Sequence, residues 1–219
     1  MKLSPSLYSG RFQGRYKRFF SDVINTDGEL LTIHCPNTGS MKNCLVENSE
    51  CWYSLSDNPK RKLAGTLEII TNKYGNLAGI NANKANYLVR EAIEANVISE
   101  LNGYEELKTE VKYGAENSRI DLLLEDSIKG RCYIEVKSVT LFRSKKIAEF
   151  PDAVTSRGSK HLKTLIDATK KGYKTFILFL IQIERIENFR IAKDIDKEYY
   201  NNYLLAKKAG VKFLAYRCK

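Results

Sequence analysis

The 219-residue chain has no apolar run approaching the roughly 20 residues that a membrane-spanning helix needs. Its N-terminus, MKLSPSLYSGRFQGRYKRFF, has no apolar stretch of the kind that directs export. Cysteine is sparse: five residues, at positions 35, 44, 51, 132 and 218, with no C-x-x-C and no histidine pair beside them. That excludes a disulfide framework and a zinc knuckle, and leaves reduced thiols acting as small buried hydrophobes in a cytoplasmic protein. The sequence has no glycine-rich phosphate loop, which argues against a kinase or other sugar-phosphorylating enzyme. Without a helix-turn-helix or zinc-finger pattern, it has no evident device for reading operator bases. Internal repeats and low-complexity tracts are absent too.

What is present is a strong positive charge. Lysine and arginine number 36 against 26 acidic residues, a formal net charge of +10, with 43% hydrophobic content to build a core. Such a balance favours a polyanionic partner, nucleic acid ahead of any anionic membrane surface. DNA held mostly through its backbone is the expected partner; RNA is not excluded, no membrane association is expected, and oligomeric state is left open. The charge concentrates at the N-terminus, where Lys2, Arg11, Arg15, Lys17 and Arg18 occur without an acid among them. Tyr8, Phe12, Tyr16, Phe19 and Phe20 interleave with these cations. Either phosphates meet the cations and bases stack on the rings, or this is a basic strand whose aromatics face a core. The basic turn NPKRK (58–62) is open to the same two readings.

Residues 1–82 read as short strands. RYKRFFSDVI and ELLTIHC flank NTDG, a hairpin signal because Asp-Gly accommodates positive φ. ECWYSLS, GTLEIIT and LAGIN follow, which suggests a small antiparallel OB-like barrel. From residue 83 the pattern changes. NKANYLVREAIEANVISEL (83–101) has helical periodicity, with Tyr87, Leu88, Ala92, Ile93, Val97, Ile98 and Leu101 on its apolar face. Three strand candidates follow at 106–114, 118–125 and 131–139. A helix over 153–172, an apolar strand TFILFLIQ, a helix KEYYNNYLLAKKAG and the strand VKFLAY complete the chain. The fold class is α/β (α+β), an OB-like domain at 1–82 and a mixed-sheet domain at 83–219.

The polar residues of two strands carry the chemistry. In YIEVKSV, Glu135 and Lys137 share one face because i and i+2 project together on a strand. In SRIDLLL, Asp121 should point away from an apolar face of Ile120, Leu122 and Leu124. Two carboxylates and an ammonium can form a plain ion pair, or hold Mg²⁺ or Mn²⁺ and act on a phosphodiester. The order α-β-β-β-α-β around D…E-x-K resembles the PD-(D/E)xK nuclease superfamily, although Ile120 stands where its signature has proline. That resemblance makes Asp121, Glu135 and Lys137 catalytic, with Asp121 and Glu135 as metal ligands. Glu91 on the first helix is the third ligand candidate, and Glu110 a weaker one.

Over residues 15–216, RYKRFFSDV, HCPNTGSM, NPKRKLAGTLEI, EVKYG-x4-SRIDLLL, YIEVKSVTL, FPDAVTSRGSKHL and GVKFLAY look like the successive motifs of the sugar fermentation stimulation protein A family. The resemblance implies an OB-like N-terminal domain, a nuclease-like C-terminal domain and DNA binding. It leaves two functions open: a divalent-metal-dependent nuclease, or a non-catalytic DNA-binding regulator of sugar (maltose) metabolism genes. Nucleic-acid contacts are expected from Arg11, Arg15, Lys17, Arg18, Arg157 and Lys160. Arg157 and Lys160 stand in the first turns of a helix capped by Thr155 or Ser156, where two cations oppose the dipole unless an anion binds. His161 is either a packing histidine or a proton donor, and Asp152 a turn or cap residue. In HCPNTGSM, His34, Asn37, Thr38 and Ser40 either face a phosphate or hold a turn.

Overall fold

The computed structural model describes residues 6–113 and 118–218, so Lys2 lies outside the described residues. Strand β1 (Leu7–Tyr16) pairs antiparallel with β2 (Phe20–Asn25) on one side and β4 (Glu50–Leu55) on the other. β3 (Leu30–His34) follows β2 through the anticipated Asp-Gly turn, where Gly28 takes φ 84° and Asn25 Oδ1 accepts from Asp27 N and Glu29 N. β5 (Gly65–Thr71) pairs with β4, and His34 meets Thr66 to close β3 onto β5. Five strands therefore form a closed barrel, which removes exposed edges. β6 (Leu77–Gly79) lengthens the sheet beyond β5. Phe12, Val23, Ile33, Tyr53 and Leu67 fill the interior.

The segment 15–24 is not one strand. Lys17 and Arg18 take φ 47° and 65°, and the reversal pairs Tyr16 with Phe20. Neither residue is a usual turn former, so the sequence carried no signal for this hairpin.

The second half begins with α1 (Ala85–Glu94), shorter than its apolar periodicity predicts. Asn96 turns left-handed at φ 57°, and a single 3₁₀ turn over Ser99–Leu101 follows. The buried face is Ala85, Val89 and Ile93, whereas Tyr87 and Val97 are exposed. Next come β7 (Glu106–Tyr113), β8 (Ser118–Asp126) and β9 (Gly130–Val139). A hairpin of β10 (Leu141–Ser144) and β11 (Ile147–Phe150) precedes α2 (Ser156–Lys170), capped by Thr155, whose Oγ1 accepts from Gly158 N at 3.0 Å. β12 (Lys174–Ile181), β13 (Asn188–Ile191), α3 (Lys197–Ala209) and β14 (Lys212–Arg217) complete the chain.

The main sheet runs β14-β12-β9-β8-β7, with β9, β12 and β14 parallel and β7 and β8 antiparallel. β12 is buried at every position after Lys174, as its unbroken apolar run requires of a central strand. Helix α1 packs on one face with Leu122, Leu124, Ile134 and Leu178. Leu162 and Leu165 of α2 and Tyr199 of α3 pack on the other with Leu123, Tyr133, Ile177 and Phe179. Ile120 belongs to this second cluster, so Ile120, Leu122 and Leu124 do not share a face. The strand changes face at Asp121, opposite a β7 backbone kinked by Glu110 at φ 53°.

β10, β11 and β13 form a small sheet that the sequence reading missed, because its strands are short and ion pairs replace apolar alternation. Arg143 grips both oxygens of buried Glu149 at 2.6 Å, and Arg190 Nε donates to the same carboxylate at 2.7 Å.

The barrel and the α/β half share one continuous apolar cluster that includes Phe12, Ile33 and Leu67 on one side and Phe142, Leu162 and Phe179 on the other. Backbone bonds join them as well: Gly79 N donates to Gln182 O at 2.7 Å and Glu184 N to Leu77 O at 3.0 Å.

Candidate active site

The β8–β9 ladder runs from Asp126 opposite Gly130 to Leu122 opposite Ile134. Beyond that pair the Asp121 side chain takes over, its Oδ2 accepting from Val136 N at 2.7 Å. On its other side β9 stays paired to β12 as far as Val139. Glu135 and Lys137 therefore sit on a strand fixed along one edge and opened along the other at Asp121.

Lys137 Nζ donates to Glu135 Oε1 at 2.7 Å, and both side chains are largely buried. His161, one turn into α2, directs Nδ1 onto the same Glu135 oxygen. Its Nε2 accepts from Arg157 Nε at 3.3 Å. The same Nδ1 also lies 3.2 Å from Lys137 Nζ, so His161 joins Arg157 on one side to the Glu135–Lys137 pair on the other. His161, open in the sequence to a packing or a proton-donating role, bridges an exposed cation and a buried acid.

The sequence reading also missed Asn86. From the first turn of α1, its Nδ2 donates to Asp121 Oδ1 at 2.9 Å and to Glu110 Oε1 at 3.3 Å. Its partners lie on strands far along the chain, and an asparagine at the start of a helix reads only as a cap. Glu91 is five residues beyond Asn86, about 140° further round the helix at 3.6 residues per turn. The α1 side chain that hydrogen-bonds Asp121 is Asn86.

The two carboxylates have opposite electrostatics. Burial, followed by the facing charge of Glu135, raises the Asp121 carboxyl to about 6, against the pull of Val136 N–H, Asn86 and Lys137. Burial also pushes Glu135 upward, but the His161 hydrogen bond and the Lys137 charge outweigh it and hold Glu135 below the usual range. Two acids beside each other, one reluctant to ionise, form a site short of positive charge.

Among the described residues, no group of three or more His, Cys, Asp or Glu could hold a metal ion unaided. Asp121 and Glu135 offer hard oxygen donors without a thiolate. That set suits Mg²⁺, which keeps several waters and takes one or two carboxylates, better than zinc.

The expected nucleic-acid residues fall into three groups. Arg157 and Lys160 are exposed on the first turns of α2, with Arg157 reaching His161 Nε2. Lys17 and Arg18 occupy the exposed β1–β2 tip, and Arg11 lies exposed on β1, its Nη1 donating to Asn48 O at 3.4 Å. Arg15 is partly buried and inward-facing, donating to Asn37 O at 2.8 Å and Gly39 O at 2.9 Å. The polar loop that it holds spans the two halves: Asn37 Oδ1 accepts from Gly39 N, and Asn37 Nδ2 donates to Thr140 Oγ1 at 3.3 Å.

The model of the sugar fermentation stimulation protein RE domain matches residues 83–219, and that of the SfsA N-terminal OB domain matches residues 14–80. The sugar fermentation stimulation protein homolog of Pelagibacter ubique is 55% identical over 219 residues, covering all of this chain and 93% of its own. That of Shewanella loihica is 52% identical over 215 residues, covering 98% of this chain and 92% of its own. Among solved structures, Pyrococcus furiosus SfsA in complex with Ca²⁺ superposes with a TM-score of 0.87 at 26% identity, over 99% of this chain and 90% of that one. Among the described residues no helix is long and apolar enough to cross a membrane.

Proposed function

The chain belongs to the sugar fermentation stimulation protein (SfsA) family, and on that premise we propose that it is a cytoplasmic, DNA-binding nuclease dependent on Mg²⁺ or Mn²⁺. The observation that carries this reading is the meeting of Asp121, Glu135 and Lys137 where the β8–β9 ladder gives way. Burying two carboxylates with one ammonium costs stability unless a ligand compensates. The Ca²⁺ bound by the Pyrococcus relative, an ion of the same oxygen preference, supports a hard-cation site.

Asp121 and Glu135 would hold the cation, with Asn86 steadying the Asp121 carboxylate through Oδ1 and Val136 N–H through Oδ2. When bound, the ion supplies charge neutralisation at the phosphate and acidifies water at the site. Lys137, fixed by Glu135, positions the attacking water and stabilises charge developing on the phosphoryl oxygens. His161 keeps Glu135 oriented through the contact of Nδ1 with Oε1. Arg157 is exposed and grips a phosphate beside the pocket, with Lys160 along the same helix.

The test incubates labelled single- and double-stranded DNA and RNA with the protein in Mg²⁺, Mn²⁺ or EDTA, beside Asp121→Ala and Lys137→Ala. Metal-dependent cleavage lost in both variants is the expected result. Binding without cleavage in any metal, unchanged by either substitution, would leave the family's regulatory reading in its place.

A further inference from the structure

The sequence Tyr16-Lys17-Arg18-Phe19 forms the tip of the β1–β2 hairpin, and it is an unusual tip. Tyr16 and Phe19 leave 44% and 42% of their surface in solvent. Both rings rest on Phe20, with centroids 5.3 Å from Tyr16 and 4.4 Å from Phe19. The Tyr16 hydroxyl reaches Asp22 Oδ1 at 3.5 Å, and Thr32 Oγ1 donates to the same oxygen at 2.7 Å. The rings are thus backed from beneath and open above. Between them Lys17 and Arg18 stay exposed in left-handed backbone, a conformation that glycine would adopt with less strain.

This tip is fixed relative to the catalytic strand. Cys35 N donates to Phe19 O at 2.8 Å, and Arg15 holds the loop at Asn37 and Gly39. Asn37 Nδ2 and Cys44 Sγ donate to the Thr140 hydroxyl and carbonyl, just beyond Lys137. Arg18 lines a cleft of about 300 Å³ together with Asp152, Glu149, Thr140 and Ser138. The charge of Glu149 is matched by Arg143 and Arg190, and Arg18 and Asp152 are the other charged residues of the cleft lining.

From these placements, and resting on the nuclease reading above, we infer that the hairpin tip is a stacking platform for unpaired bases, so that the substrate carries a single-stranded segment whose phosphates meet the Arg18 cleft. Exposed rings gain stacking energy only from bases that are not already stacked in a duplex. Flanking cations hold the phosphates of the same strand without regard to sequence. The barrel thereby selects strand structure and the α/β half does the chemistry.

The experiment compares wild type, Tyr16→Ala/Phe19→Ala and Lys17→Ala/Arg18→Ala by fluorescence anisotropy. The probes are labelled oligothymidylate and a blunt duplex, each in Ca²⁺ and in EDTA. Circular dichroism checks the fold, and Tyr16→Trp serves as the conservative control. The aromatic double variant should weaken single-strand binding roughly tenfold or more and leave duplex binding nearly unchanged, while Tyr16→Trp retains affinity. The cationic double variant should weaken both probes and flatten the salt dependence. Equal losses on both probes, or no loss on either, overturn the platform. So does a wild-type dimer, seen by sedimentation, that the aromatic variant abolishes. If metal-dependent cleavage survives such a result, only the platform falls; if wild type neither binds nor cleaves either probe, the nuclease reading falls with it.

Discussion

Asp121→Asn should stabilise the metal-free protein, and by an amount that grows with pH. The carboxyl is raised from 3.8 to about 6 by burial and by the charge of Glu135. Below pH 3.8 the folded and unfolded chains both carry the proton, and the site costs nothing. As pH rises, the unfolded chain ionises first. Above about 6 both states are ionised, and the native state bears the full penalty. At about 1.4 kcal/mol per pH unit the interval corresponds to ~3 kcal/mol, trimmed to about 2–3 kcal/mol because the side chain is partly exposed. Asparagine keeps an acceptor for Val136 N–H, and the Asn86 carboxamide can turn to meet the new amide. The assay is urea unfolding in EDTA at pH 4.5 and at pH 8. The variant-minus-wild-type difference should increase by roughly 2 kcal/mol between them, whatever fixed cost the substitution brings. Saturating Ca²⁺ should stabilise wild type and not the variant. A difference flat with pH would refute the claim that the two carboxylates face each other in a buried pocket.

Asn86→Ala removes the bridge between Asp121 and Glu110 and should weaken Ca²⁺ binding roughly tenfold by calorimetry, in line with the loss of an oriented ligand. Gly39→Ala would put a methyl 2.0 Å from Asp152 Oδ2, so thermal unfolding should show a loss of about 1–3 kcal/mol, relieved by adding Asp152→Ala. Glu149→Gln leaves Arg143 and Arg190 with a neutral partner and should cost about 3 kcal/mol in urea titrations. Arg143 holds the Glu149 carboxyl below its usual 4.5, so this contribution is complete above pH 4.5 and disappears as pH falls below it.

The sequence announced features that depend on neighbours a few residues away. Asp27-Gly28 marked a turn, the run from Thr175 to Gln182 marked a central strand, and Glu135 and Lys137 shared a face by simple alternation. Features set by distant contacts were silent. Ile120 and Leu122 part company because β8 is covered on both faces and kinked beside Glu110, which alternation alone does not disclose. Arg15 looked like a surface cation, yet its guanidinium is spent on three loop carbonyls, at Asn37, Gly39 and Ser40. Asn86 and His161 acquired their roles only once α1 and α2 were laid against the opened end of the β8–β9 ladder.

The apolar cluster running from Phe12 and Ile33 to Phe142 and Phe179 has no seam between the two halves. On the proposed function, the hairpin tip and the Glu135–Lys137 strand would be set at a fixed spacing by this shared core, so that bending of the nucleic acid would adjust the fit between them.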